Sequence, residues 1–129
     1  LLSRRQRQMC IRDRFYTSKE NRLTFVVSNN ELKDENLIEL TANTQEAALE
    51  KHLPVVNIIG NKIEITVGSI LHPMTEAHLI GAIVLVTTNK VYITNLKSTD
   101  KPLTNFILED GEKPIEVYEY CNLHGLWKC

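Results

Sequence analysis

The chain of 129 residues is 43% apolar and 24% charged, enough for one domain with a real core and ordinary for a soluble globular protein. Its formal charge is −1, and no apolar run approaches the about 20 residues that a membrane span requires. Cys10, Cys121 and Cys129 are an odd, sparse set, which excludes a disulfide framework and points to reduced thiols in a cytoplasm.

The opening stretch LLSRRQRQMCIRDR (1–14) holds five Arg and one Asp, a charge of +4 that leaves −5 on residues 15–129. No apolar segment or small-residue cleavage site follows, so it is not a signal peptide, and nothing downstream supports a nucleic-acid-binding arm. It reads as translated sequencing-adaptor read-through, an artefact or a disordered tail, with the natural start expected near Phe15. Cys10 is left out of the chemistry accordingly.

Residues 15–43 hold one strand-like run, Leu23-Thr-Phe-Val-Val, inside turn-prone polar sequence, and read as a small lobe packed on the main domain. TQEAALEK (44–51) predicts a short helical turn with Thr44 as N-cap, stopped by Pro54. From Pro54 the apolar period is two. PVVNII, a Gly60-Asn61 turn and KIEITV predict a hairpin. LIGAIVLVTT is nearly continuous and apolar, as a fully buried strand requires, and Asn89-Lys90 turns it into VYITNL. LTNFIL and IEVYEY are the last predicted strands, separated by EDGEKP. Six or seven short strands at regular spacing predict an all-β protein, an immunoglobulin-like antiparallel β-sandwich over residues 44–129 with a short N-terminal appendage.

The four histidines, His52, His72, His78 and His124, all fall in loops or at element ends, each beside a residue that restrains or bends the chain: Pro54, Pro73 and Gly125. One histidine on a β-protein is usually an ordinary hydrogen-bonded residue, and a lone C-x-x-H such as Cys121/His124 is a weak signal. Four histidines in turns that can converge at one end of a sandwich point instead to a metal. Structural zinc takes four ligands, one fewer than this set. A blue-copper site takes two His, one Cys and a long axial Met; Met74 could be recruited, but two histidines would be idle. Five N/S donors suit a square pyramid, with four imidazoles in a plane, the thiolate on one axis and the opposite axis open. An axial thiolate pushes electron density toward that open position, which suits one-electron chemistry of an oxygen species at non-haem iron.

EKHLPV, GSILHPMTEAH and EYCNLHGLWK closely resemble the superoxide reductase family, also called desulfoferrodoxin and neelaredoxin, from about Thr44 to Lys128. The resemblance implies an immunoglobulin-like sandwich and one mononuclear iron, with His52, His72, His78 and His124 equatorial and Cys121 axial. It also implies one-electron reduction of superoxide to hydrogen peroxide, a rubredoxin-like electron donor, and a homo-oligomer, dimer or tetramer. Glu50 and Lys51 match the family's E-K pair ahead of the first ligand. An ammonium at Lys51 would steer the superoxide anion toward the open position. Glu50 offers a hard carboxylate able to take the sixth position in the ferric state. Backbone N–H groups around Leu123 and His124 could hydrogen-bond the Cys121 sulfur. Many members carry a rubredoxin-like N-terminal iron domain. Here Ser18 and Asn21 stand near the expected first cysteine pair and no cysteine lies near Lys33, so the one-iron class is expected. The competing function is a cupredoxin-like electron-transfer protein without substrate turnover.

Overall fold

The computed structural model describes residues 13–129. The expectation for residues 1–14 therefore lies outside the described residues, except at its end, where Arg14 opens β1. Ten strands and one short helix follow: β1 (Arg14–Ser18), β2 (Phe25–Ser28), β3 (Leu37–Leu40), α1 (Leu49–His52), β4 (Pro54–Ile59), β5 (Lys62–Val67), β6 (Ile80–Thr87), β7 (Val91–Asn95), β8 (Leu103–Ile107), β9 (Pro114–Cys121) and β10 (Gly125–Lys128). They form three antiparallel sheets in the orders β2-β1-β3, β10-β9-β6-β7 and β4-β5-β8.

The last two sheets face each other as a sandwich, and their inner faces supply its core: Ile63, Ile65 and Val67 from β5, Ile83 and Leu85 from β6, Val117 and Cys121 from β9. A side-chain hydrogen bond between Thr94 and Thr104 (2.8 Å) joins β7 to β8 at the margin. The first sheet covers the outside of β6 and β9, where Phe15, Phe25, Val27 and Leu40 pack on Ala82, Val84, Val86, Tyr118 and Tyr120. This explains the composition of β6. A strand with one wet face alternates polar and apolar residues, whereas one covered on both faces is apolar throughout. Tyr120 ties the layers further, its hydroxyl lying 2.9 Å from Thr17 Oγ1 and 2.7 Å from the Arg22 carbonyl.

The hairpin at Gly60-Asn61 is present, with Ile59 opposite Lys62. Two expectations are corrected. The lobe holds three strands rather than one run, because FVVS and LIEL pair on either side of FYTS despite the short apolar signals of FYTS and LIEL. The helix spans only Leu49–His52, with Ala48 before it and no side-chain cap; the Thr44 hydroxyl instead donates back to the Thr41 carbonyl at 2.7 Å. The final strand, β10, is too short to announce itself in sequence and forms by pairing with β9 across Gly125.

One irregularity bears on the site. Ile80 pairs with Cys121 and Ala82 with Tyr120, leaving Gly81 as an extra residue in β6. Without this bulge Ile80 and Ala82 would share a face. With it, Ile80 enters the sandwich core beside Cys121 while Ala82 faces the lobe.

Candidate metal centre

Four strand ends meet at one end of the sandwich. β4 begins there after α1, β5 ends at Val67, β6 begins at Ile80 and β9 ends at Cys121, with Pro54 opposite Val67 and Ile80 opposite Cys121. His52 closes α1, His72 and His78 lie in the β5–β6 connection, and His124 lies in the β9–β10 turn. All four expected imidazoles and the Cys121 sulfur are thereby brought together.

The rings form a near-square. Centroid separations run 4.8 Å from His52 to His72, 4.6 Å from His72 to His78, 5.1 Å from His78 to His124 and 4.8 Å from His124 to His52. His52 and His78 stand opposite at 6.5 Å, close to the diagonal such sides require. Adjacent rings are steeply inclined, by 76° to 87°. The sulfur of Cys121 lies 3.6 Å from His72 Nε2 and 3.9 Å from His124 Nδ1.

Hydrogen bonds determine which nitrogen each ring offers. His52 Nδ1–H donates to the Ala48 carbonyl at 2.8 Å and His72 Nδ1–H to the Pro73 carbonyl at 2.7 Å, which turns both Nε2 lone pairs inward. His124 presents Nδ1, 3.0 Å from His52 Nε2. His78 Nε2 is buried without a partner. The donor atoms of His52, His72, His78 and Cys121 all lie within 4.8 Å of one another.

Electrostatics favour the ligating form of three of the imidazoles. Burial lowers the pKa values of His52 and His78, and that of His72 to about 4, helped in each case by neighbouring imidazoles. The rings are therefore neutral near neutrality. Burial pushes the Cys121 thiol up to about 11, against the pull of the His124 and Leu123 backbone N–H groups. A cation at the centre would reverse that shift, since a coordinating thiol is deprotonated outright.

These residues fit a metal ion. Nitrogens bonded to one ion at about 2.1 Å on neighbouring positions stand about 3 Å apart, the separation of His52 Nε2 and His124 Nδ1. The unpartnered His78 Nε2 is the kind of buried polar atom that requires an explanation. Met74, the axial ligand a copper reading could recruit, packs on the core, its sulfur accepting the Ile80 N–H at 3.3 Å. It is engaged with the backbone.

Glu50 and Lys51 precede His52 on α1, both exposed. The positive charge of Lys51 is felt at His52 and His78, and the negative charge of Glu50 at His52. Gly68, at φ +86°, lets the following loop lie against α1; a Cβ there would sit 2.9 Å from both the Glu50 carbonyl oxygen and Lys51 Cα. The Gly68 and Ile70 N–H groups donate to the Leu53 and Glu50 carbonyls at 3.0 Å.

Two neighbours were not visible from residue type. Trp127 is buried 5.0 Å from the His52 ring and donates its indole N–H to the His124 carbonyl at 3.0 Å. Glu119 is fully buried with both carboxyl oxygens unpartnered, and burial raises its pKa well above the usual range, so it is a neutral acid. Its place two residues before Cys121 on a strand puts it on the same face; period alone would have marked the position as core.

The fold and the donor cluster thus define a β-sandwich protein in which His52, His72, His78 and Cys121 form a group that could hold a metal ion, with the His124 ring beside them. The desulfoferrodoxin family model matches residues 44–129. The desulfoferrodoxin of Syntrophotalea carbinolica is 48% identical over 88 residues, covering 68% of either chain, and that of Clostridium acetobutylicum 42% identical over 94 residues, covering 73% of either. The superoxide reductase structure from Treponema pallidum superposes with a TM-score of 0.77 at 30% identity, over 89% of this chain and 98% of that one. The one-iron superoxide reductase of Giardia intestinalis gives 0.54 at 34% identity, over 62% and 95%. The chain belongs to the desulfoferrodoxin family. It is a member whose N-terminal lobe, among the described residues, has no cysteine to hold a second iron.

Proposed function

We propose that the protein is a superoxide reductase, joining one superoxide anion, one electron and two protons to give hydrogen peroxide. His52, His72 and His78 through Nε2, His124 through Nδ1 and Cys121 through Sγ would hold one iron, which would supply the single electron. The observation carrying this reading is the near-square of four imidazoles with a sulfur beside it, at a sandwich end rimmed by a lysine.

The side chains divide the remaining work. The hydrogen bonds to Ala48 and Pro73 fix two rings before any metal arrives, so little reorganisation accompanies binding. Lys51 provides local positive charge on a domain that is net negative, drawing in the anionic substrate and stabilising charge that develops on it. Glu50, beside it, would offer a carboxylate to the oxidised iron. The buried sulfur faces away from water, which preserves a thiolate from exchange and oxidation.

A rubredoxin-like protein is the donor we infer. Leu49, Ile70, Leu71 and Leu123 are exposed, each within three residues of a ligand, and such an apolar rim suits a small, transient redox encounter. A homo-oligomer would find the outer face of β4-β5-β8 uncovered, where Val55, Ile59, Leu103 and Ile107 are exposed. Among the described residues no helix is long and apolar enough to cross a membrane, and a free buried thiol suits a reducing cytoplasm.

Pulse-generated superoxide, mixed with protein loaded with one ferrous iron per chain, tests the reading. Oxidation should approach the diffusional ceiling of about 10⁸–10⁹ M⁻¹s⁻¹, with peroxide formed one for one. Tight binding of copper in place of iron, or ferrous protein inert to superoxide, would overturn it.

A further inference from the structure

Three of the ligand rings have an evident restraint. His52 and His72 are pinned through Nδ1 to carbonyls, and His124 sits in a tight turn closed by the Trp127 indole. His78 differs: neither ring nitrogen is hydrogen-bonded to protein among the described residues, and its Nε2 is buried and unpartnered. Its ring is therefore placed through the backbone that carries it.

That backbone is held from across the site by one side chain. Asn122 Oδ1 accepts the Leu79 N–H at 3.0 Å, and Asn122 Nδ2 donates to the Ala77 carbonyl at 3.0 Å. Its own N–H reaches the Leu79 carbonyl at 3.3 Å. The amide thus grips the residue before His78 and the residue after it. Only a group that donates and accepts at once can do this, and among side chains of that length only asparagine qualifies. Asn122 also directly follows Cys121 and stands two residues before His124. The contacts that hold the His78 loop consequently fix it relative to the sulfur and to a second ring. Thr75 holds the same loop from its own side, taking the His78 N–H at 3.0 Å, but it has no link to Cys121.

We infer that Asn122 is a positioning residue of the metal centre, setting His78 against Cys121 through paired hydrogen bonds to Ala77 and Leu79. The inference rests on the iron-centre reading above. Removing such an outer support typically costs 10–100-fold in metal affinity.

The test compares iron-loaded wild type with Asn122→Ala, Asn122→Asp and a remote control, Asn57→Ala, which removes an amide bonded to Glu64 on the exposed face of β4-β5-β8. The readouts are the rate of iron loss to a chelator, the thiolate-to-ferric absorption band and the reduction potential. Asn122→Ala should lose iron about 10–100-fold faster and shift both band and potential. Asn122→Asp retains the acceptor for Leu79 but lacks the donor for Ala77, and should fall between. The control should match wild type. Should Asn122→Ala fail to fold, the isosteric Asp variant decides alone. Wild-type release rate, band and potential in Asn122→Asp and, where it folds, in Asn122→Ala would overturn the inference while leaving the iron centre standing. Wild type without a thiolate-to-ferric band would overturn the centre itself.

Discussion

Trp127 and His124 are joined by an indole N–H donated to a backbone carbonyl, 3.0 Å long, three residues apart in the closing turn. The same indole lies 5.0 Å from the His52 ring, so one buried side chain braces two histidines from different loops. Trp127→Phe keeps most of the packing and loses the bond. It should destabilise the metal-free protein by about 0.5–1.5 kcal/mol in urea unfolding and hasten iron loss to a chelator. Equal release rates in variant and wild type would show that the indole acts on the core alone.

Cys121→Ser replaces the sulfur by an oxygen that is a poorer electron donor. The visible thiolate-to-ferric absorption should vanish from the oxidised protein while the four histidines still retain some iron. Survival of the colour would remove Cys121 from the ligand set.

Lys51→Ala removes the ammonium at the rim. Oxidation of the ferrous protein by superoxide should slow by one to two orders of magnitude, within the about 10–10³-fold span of electrostatic steering. The residual rate should depend less on ionic strength than in wild type. Iron content should be unchanged. Stopped-flow or pulse measurements across a salt series decide this, and an unaltered rate would eliminate the steering role.

Gly68 lies against the backbone of Glu50 and Lys51. Alanine there would need φ +86° and would press its Cβ on the Glu50 carbonyl and Lys51 Cα. Gly68→Ala should cost about 1–3 kcal/mol and, by moving α1, reproduce part of the Lys51→Ala rate loss. Thermal melting reads the first effect and superoxide kinetics the second.

At the end of the sandwich away from the site, Glu112 is buried among Thr87, Tyr92 and the Glu109 backbone. Burial alone would raise its pKa, but hydrogen bonds from Thr87, the Glu109 N–H and Tyr92, with the nearby Lys90 charge, outweigh it and hold the carboxyl below 4.5. A depressed folded pKa contributes stability that is present above the unfolded value and lost as pH falls through the folded one. Wild type should therefore lose stability below about pH 4.5. Glu112→Gln should be less stable at neutrality and converge on wild type in acid. Melting curves down to about pH 3 that keep a constant gap would contradict this assignment.

Much of the sandwich was legible because its strands bury one or two faces completely, leaving a period of two or, in β6, an unbroken apolar run. The donor residues were legible because imidazole and thiolate are rare and chemically pointed. What escaped depended on partners. β1 and β3 are short, and become strands only against each other and the outer face of β6 and β9. Residues 44–48 have helical composition, but Ala48 is extended and no side chain caps the helix, which begins only at Leu49. Glu119 looks like a surface residue by type, although its place in the strand period marks it as core. Asn122 stands between Cys121 and His124 with no chemistry of its own to mark it, and its bonds to Ala77 and Leu79 arise only when two distant turns meet.

The three-stranded lobe, empty of cysteine, still forms an outer wall. Phe15, Phe25, Val27 and Leu40 shield a stripe of small aliphatics on β6, and Tyr120 hooks Thr17 and Arg22 from the residue next to Cys121. Shaving it off would wet that stripe and leave a flat, sticky sheet directly behind the sulfur. The lobe is thus the roof over the strand that carries Cys121.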